Sequence, residues 1–312
     1  MAFVGKLAYL VLFPGLLFVF LAGLAARGIV EGMSAVVTGG SAPGRASGLR
    51  RIVRLFADES SPATGAPAVL QWAAPAVKIV ALSWISCLIL GFLDGDLLLI
   101  LALLLLASAC DLVLVSCSSN PRVRQNVTSE CAQAIGWAVP LSLVIAGVAL
   151  RTGETQVSAV IRWQVANGVL VGSPAGGALA ATGTGLGLLG ALVAMGCLAR
   201  LRPLGRGLFG DPPAGIDSDI SGPPLAVLNV SQLALYFLTP LLVVTLFLAG
   251  PSSSWYEVVF WALKVAGVIV VLGIVDVVAP RIRSGRALAW SLALGGGLAL
   301  VGFVLIWVGG ST

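Results

Sequence analysis

Five ionisable residues stand inside stretches otherwise apolar enough to cross a membrane: Lys78, Asp111, Glu130, Lys264 and Asp276. A charge at membrane depth costs at least ~2.5–3.5 kcal/mol on insertion scales, so such residues tend to mark ion paths or internal pairs. Carboxylates and amines linked through water can pass protons, which makes these five candidates for ion coupling. Asp111 and Glu130 fall in consecutive apolar stretches, toward the same membrane face. Lys264 and Asp276 share one stretch but lie about 18 Å apart along a helix, so they cannot pair with each other. Structural pairing, or snorkelling to the interface, is the plainer alternative for each.

Other chemistry is poorly supplied. The chain has no histidine, the commonest general base and haem ligand. Its five cysteines (Cys87, Cys110, Cys117, Cys131, Cys197) form no C-x-x-C pair and read as small packing residues in or beside apolar stretches. No nucleophile-elbow, Walker or dinucleotide fingerprint stands in a strand–turn–helix setting. The expectation is no metal and no cofactor in this chain. Any hard chemistry sits on a partner.

The elements that must hold these charges are membrane helices. Mean hydropathy is +1.05, and only 10% of residues are charged. About eight stretches are long enough for a ~30 Å hydrocarbon core, placed near 7–30, 70–92, 96–118, 127–150, 178–200, 225–249, 255–279 and 286–309. Arginines fall in every second gap. Arg27, Arg45, Arg50, Arg51 and Arg54 follow the first stretch, and Arg122 and Arg124 the third. Arg200, Arg202 and Arg206 follow the fifth, and Arg281, Arg283 and Arg286 the seventh. The opposite side holds Lys6, Arg151 and Arg162. The positive-inside rule therefore predicts cytoplasmic arginine loops and both termini outside, which requires an even number of spans. The fold class is an all-α polytopic integral membrane protein, and residues 1–312 read as a single transmembrane domain. Residues 1–26 read as a retained first helix and not a signal peptide, because the apolar run is long and Arg27 follows it.

Two cytoplasmic loops, 31–69 and 201–224, are read as a docking surface. The first carries the amphipathic piece Leu49–Phe56, whose Arg50, Arg51 and Arg54 separate from its apolar side as in a surface helix. The second places arginines first and Asp211, Asp217 and Asp219 after, among prolines and glycines that oppose a long helix. On the outer side, residues 93–96 make a tight turn. A short interfacial helix is expected over 157–171, with Trp163 at headgroup level. Gly183 and Gly187 stand at GxxxG spacing, which lets helices approach closely. No basic patch is interleaved with aromatics, so nucleic acid is not expected as a partner.

Several motifs carry a resemblance to a family. Gln71-Trp72-Ala73-Ala74-Pro75 opens the second span, and Gly95-Asp96-Leu97-Leu98-Leu99-Ile100 opens the third. Ser129-Glu130 with Gln133 begins the fourth. The seventh begins near Lys264 and ends Ala279-Pro280-Arg281-Ile282-Arg283, with Trp290 beyond. Phe209-Gly210-Asp211-Pro212 precedes Gly222-Pro223 in the loop before the sixth. In these the chain resembles the membrane subunit at the foot of the peripheral arm of respiratory complex I. It is more similar to the counterpart in energy-converting membrane-bound hydrogenases and formate hydrogenlyase. It also departs from them. The first-loop core decays to Gly39-Gly40-Ser41, a family Tyr-Glu pair is Trp137-Ala138, and of the family's loop glutamates only Asp217 and Asp219 have a counterpart.

The resemblance implies a non-catalytic anchor and ion-coupling subunit of a redox-driven H⁺ or Na⁺ pump, part of an oxidoreductase complex without a redox centre of its own. Implied partners are a hydrogenase-like large subunit, iron–sulfur subunits and antiporter-like membrane subunits, in the inner membrane of a prokaryote. Iron–sulfur clusters, with a nickel–iron centre as an option, belong to those partners. A quinone is admitted but not required. Two alternatives stay open: a stand-alone secondary transporter with Lys78, Asp111, Lys264 and Asp276 as its polar core, and a scaffold that has lost ion coupling.

Overall fold

The computed structural model describes residues 15–39, 47–58, 68–118, 120–171, 173, 177–201, 220–249, 255–278 and 284–310. The described chain is all helical, apart from one isolated antiparallel bridge between Asp96 and Gln156. The helices are α1 (Leu16–Thr38), α2 (Ser47–Ala57), α3 (Ala68–Ile89), α4 (Leu97–Ser116), the single turn α5 (Pro121–Arg124) and α6 (Val127–Thr152). They continue with α7 (Val157–Asn167), α8 (Gly177–Leu198), α9 (Pro223–Phe247), α10 (Trp255–Val278), α11 (Ser284–Trp290) and α12 (Gly297–Gly310). A π-helical stretch, Ser291–Gly296, joins α11 to α12 into one span. Among the described residues, eight helices are long and apolar enough to cross a membrane, as the hydropathy pattern requires.

α9 is the axis of the bundle, with 94% of its span buried. A helix apolar on every side is stable only when protein surrounds it, and α9 packs against α1, α2, α3, α8 and α10. Its hydroxyls turn back on their own helix: Ser231 donates to the Leu228 carbonyl, and Thr245 to the Leu241 carbonyl. The other spans bury one side and expose Leu, Val and Phe on the other, as lipid-facing helices do.

Within the described residues the first span runs over Leu16–Thr38, so it ends later than residue 30, where the hydropathy pattern places its end. Residues 1–14 lie outside the described residues. Arg27 therefore leaves the loop and joins the helix. Its Nε donates to Glu31 one turn on at 2.6 Å, so the charge that seemed to end the helix is cancelled inside it. The start of the first loop, 31–38, is accordingly helical. Pro75 lies inside α3, two turns from its start, and Lys264 lies well inside α10, not at its opening. The short outer helix ends at Asn167, four residues before its expected end.

Three devices fix how the helices meet. The turn before α4 is stitched to the start of α7: the Thr155 hydroxyl donates to the Asp96 carboxylate at 2.8 Å, and the Leu97 amide to the Thr155 carbonyl. Buried Gln164 of α7 donates its amide to the Thr245 and Leu246 carbonyls, two of the orphan acceptors ending α9. The GxxxG glycines of α8 face Gly302 of α12. A Cβ on Gly302 would stand 2.6 Å from the Gly183 carbonyl oxygen and 2.9 Å from the Gly187 amide, so the two backbones touch.

Candidate functional site

α6 is closed by Gly153 in the left-handed region, where glycine carries no Cβ penalty. α8 closes the same way, yet the left-handed residue there is Arg200, with φ of 60°. The Arg200 amide bonds back to the Cys197 carbonyl and the Leu201 amide to the Gly196 carbonyl, the double bond of a Schellman cap. A non-glycine residue in this conformation costs about 1–2 kcal/mol. What the strained turn achieves is direction, because it aims the guanidinium back into the bundle.

There it meets two carboxylates. Arg200 grips Glu130 with both arms, Nη1 to Oε1 at 3.0 Å and Nη2 to Oε2 at 2.7 Å. Nη2 also reaches Asp111 Oδ2 at 3.2 Å. Both oxygens of Asp111 accept in turn from Lys78 Nζ at 2.7 Å. The four side chains come from α3, α4, α6 and the end of α8, and all are nearly removed from solvent. Burial pulls the Arg200 guanidinium down, but Glu130 and Asp111 outweigh it and hold it above its ordinary value. Two cations and two anions make the tetrad neutral, the condition under which buried charge is tolerable.

The pairing of Lys78 with Asp111 follows from the α3–α4 hairpin. Lys78 lies about three turns before the end of α3 and Asp111 about four turns into α4, so the antiparallel helices bring them level. Lys78 is the deepest member, about 15 Å along α3 from its start. Beside the tetrad lies a cavity of about 20 Å³, lined by Ser108, Gln133, Trp137 and Leu235 together with Asp111 and Glu130. That is room for one water with several polar partners. Trp137 and Leu235 form its deeper wall. Of the Trp137-Ala138 pair noted in the sequence, the buried Trp137 indole is the member that lines this cavity.

Lys264 and Asp276 stay apart from this cluster. Lys264 donates to the Leu248 carbonyl at 2.6 Å and so caps the C-terminal end of α9. Asp276 is fully buried toward the other end of α10. The four-residue polar core of the transporter alternative is thus divided between separate places. Arg50, Arg51 and Arg54 are exposed on α2, whose Ile52 is buried against Ala226 and Leu233 of α9. Asp211, Asp217 and Asp219 lie outside the described residues. No group of three His, Cys, Asp or Glu that could hold a metal occurs among the described residues.

Arg200 is the member of the candidate site that sequence reasoning does not single out. Charge spacing groups it with the topology arginines, and its left-handed backbone and its bonds to Glu130 and Asp111 set it apart.

A family profile described as NADH dehydrogenase matches residues 9–307. Among solved structures, the chain is similar to one from the membrane-bound sulfane sulfur reductase, an archaeal respiratory membrane complex, at a TM-score of 0.78. The two are 16% identical over 93% of this chain and 96% of the other, so the likeness is one of fold. No curated protein matches significantly.

Proposed function

This chain belongs to the NADH dehydrogenase family, and from that premise we propose that it is a membrane subunit of a complex-I-like respiratory assembly, coupling redox chemistry in a soluble arm to ion movement. The supporting observation is the buried tetrad at the arginine-rich end of the bundle, on the same end as α2. A soluble arm docked on the cationic face of α2 and on the 201–224 loop sits above Glu130 and Asp111. Events in the arm change the charge at Glu130. Asp111 and Lys78 carry that change toward the membrane centre, where antiporter-like partners receive it. Electron carriers, iron–sulfur and where used nickel–iron, belong to the arm. The chain itself supplies positioning and charge.

The test is a mild-detergent pull-down of the chain from its native membranes, with iron analysis and mass spectrometry. Co-purifying iron–sulfur and antiporter-like proteins support the reading. An iron-free homo-oligomer overturns it. In the assembled complex, Glu130→Gln abolishes substrate-driven ion movement while electron transfer continues. The Asp217→Asn/Asp219→Asn pair impairs coupling and leaves assembly intact; normal pumping in that pair removes the loop from the mechanism.

A further inference from the structure

Moving one charge in the tetrad forces another to move. In the closed arrangement Lys78 and Arg200 balance Asp111 and Glu130. If Glu130 takes up a proton while Arg200 stays, a net positive charge is left in a nearly dry site, which is strongly unfavourable. If Arg200 withdraws while Glu130 stays ionised, a net negative charge is left. With Lys78 charged and still holding Asp111, neutrality survives only when both happen together: the proton bonds to a Glu130 oxygen as the guanidinium leaves it. Arg200 is also the member suited to move. It is tethered by a strained left-handed turn beyond the last residue of α8, whereas Lys78 and Asp111 project from helix interiors and Glu130 from the first turn of α6. Backbone strain of this kind marks switch positions.

We propose that Arg200 is a positioning residue that acts as an exchangeable plug: its guanidinium and a proton are alternative occupants of Glu130, so entry of one requires exit of the other. The inference rests on the coupling role proposed above only for its consequence, not for its test. A further consequence is ion choice. On exchange only the Glu130 oxygens are vacated, because Asp111 stays held by Lys78. A proton needs one of those oxygens, whereas Na⁺ needs several oxygen ligands at once, which favours H⁺ over Na⁺ at this site. The other ionisable groups facing the exchange are Asp111, Lys78 and the thiols Cys110 and Cys197.

Dicyclohexylcarbodiimide, an apolar reagent that modifies protonated carboxyl groups, reads this exchange directly. The full chain is labelled in native membranes across a pH series, and adducts on Glu130 and Asp111 are quantified by mass spectrometry. Wild type and Arg200→Lys, which keeps the cation, show little labelling of Glu130 at neutral pH. Arg200→Gln and Arg200→Gly raise it about tenfold or more, the response to losing an opposite charge at hydrogen-bond distance, and shift its pH profile upward. Added Na⁺ does not compete. The glycine variant relieves the left-handed strain, so it separates loss of charge from loss of folding if the glutamine variant is unstable. Labelling of Glu130 that is unchanged in both charge-removed variants, or equally raised in Arg200→Lys, overturns the proposal, as does protection by Na⁺. Pumping is not read, so failure here is distinct from failure of the docking role.

Discussion

Lys78 and Asp111 show what pairing means at the residue scale in this chain. Each was a candidate on cost alone, and each is kept in the membrane by the other at 2.7 Å. Removing one partner strands a buried charge, which costs about 3–5 kcal/mol, whereas removing both for apolar groups of similar size is close to neutral. Lys78→Met should therefore lower the melting temperature of the purified chain strongly, and Lys78→Met/Asp111→Leu should recover most of the loss. A double variant no more stable than the single one would show that the pair does not account for the cost. Lys264 belongs to a different class. Its ammonium caps the Leu248 carbonyl at the C-terminal end of α9, so Lys264→Met should cost a hydrogen bond to a charged group, about 1.5–3 kcal/mol, and leave carbodiimide labelling of Glu130 unchanged.

Contact between backbones decides stability at the element scale. Gly302 fits into the notch between Gly183 and Gly187, and Gly190 lies equally close to Ala299. Gly302→Leu should force α8 and α12 apart and lower the melting temperature by the equivalent of at least about 1–3 kcal/mol. Gly267→Leu, on an exposed face of α10 where a Cβ meets nothing within 4 Å, should leave it unchanged. The π-helical stretch belongs to the same packing. It begins at Ser291, whose hydroxyl donates to the Gly136 carbonyl at 2.5 Å, and it carries Gly295 against Pro140 and Val193. A widened turn inside a span has no hydropathy signature, because all its residues remain apolar or small. The late end of α1 escaped the pattern for a related reason, since an Arg27–Glu31 ion pair looks polar in sequence and neutral in a helix.

Polarity is organised by end at the scale of the whole molecule. The tetrad and α2, with Arg50, Arg51 and Arg54, share one end, while Arg151, the Asp96–Thr155 stitch and the Gln164 cap share the other. Arg151 is held there by the Ala180 and Ser173 carbonyls and lies 5.9 Å from the Trp163 ring centroid, an anchoring contact typical of an interface. This arrangement predicts an orientation. Alkaline phosphatase fused after Thr312 should be active outside the cell, and inactivity with a fluorescent cytoplasmic fusion would reverse the assignment of sides. Arg50, Arg51 and Arg54 are exposed, so their joint replacement by Glu should leave the melting temperature of the isolated chain unchanged and strip the iron-containing arm from the purified assembly. Retention of full iron content would move the docking face elsewhere.

The sequence alone determined the eight spans, the alternation of charge between their ends and the short list of membrane-depth charges. Each of these follows from the local cost of exposing backbone or charge to hydrocarbon, and local costs are written in composition and spacing. Pairing was decided only by tertiary structure. Lys78 and Asp111 met because a hairpin set their level, and Glu130 and Asp111 were joined by an arginine that sequence assigned to a loop. Lys264 and Asp276, alike on paper, went to separate places because α10 packs elsewhere. Which charges share a site depends on helix rotation and on one left-handed turn at Arg200, and neither leaves a mark in hydropathy.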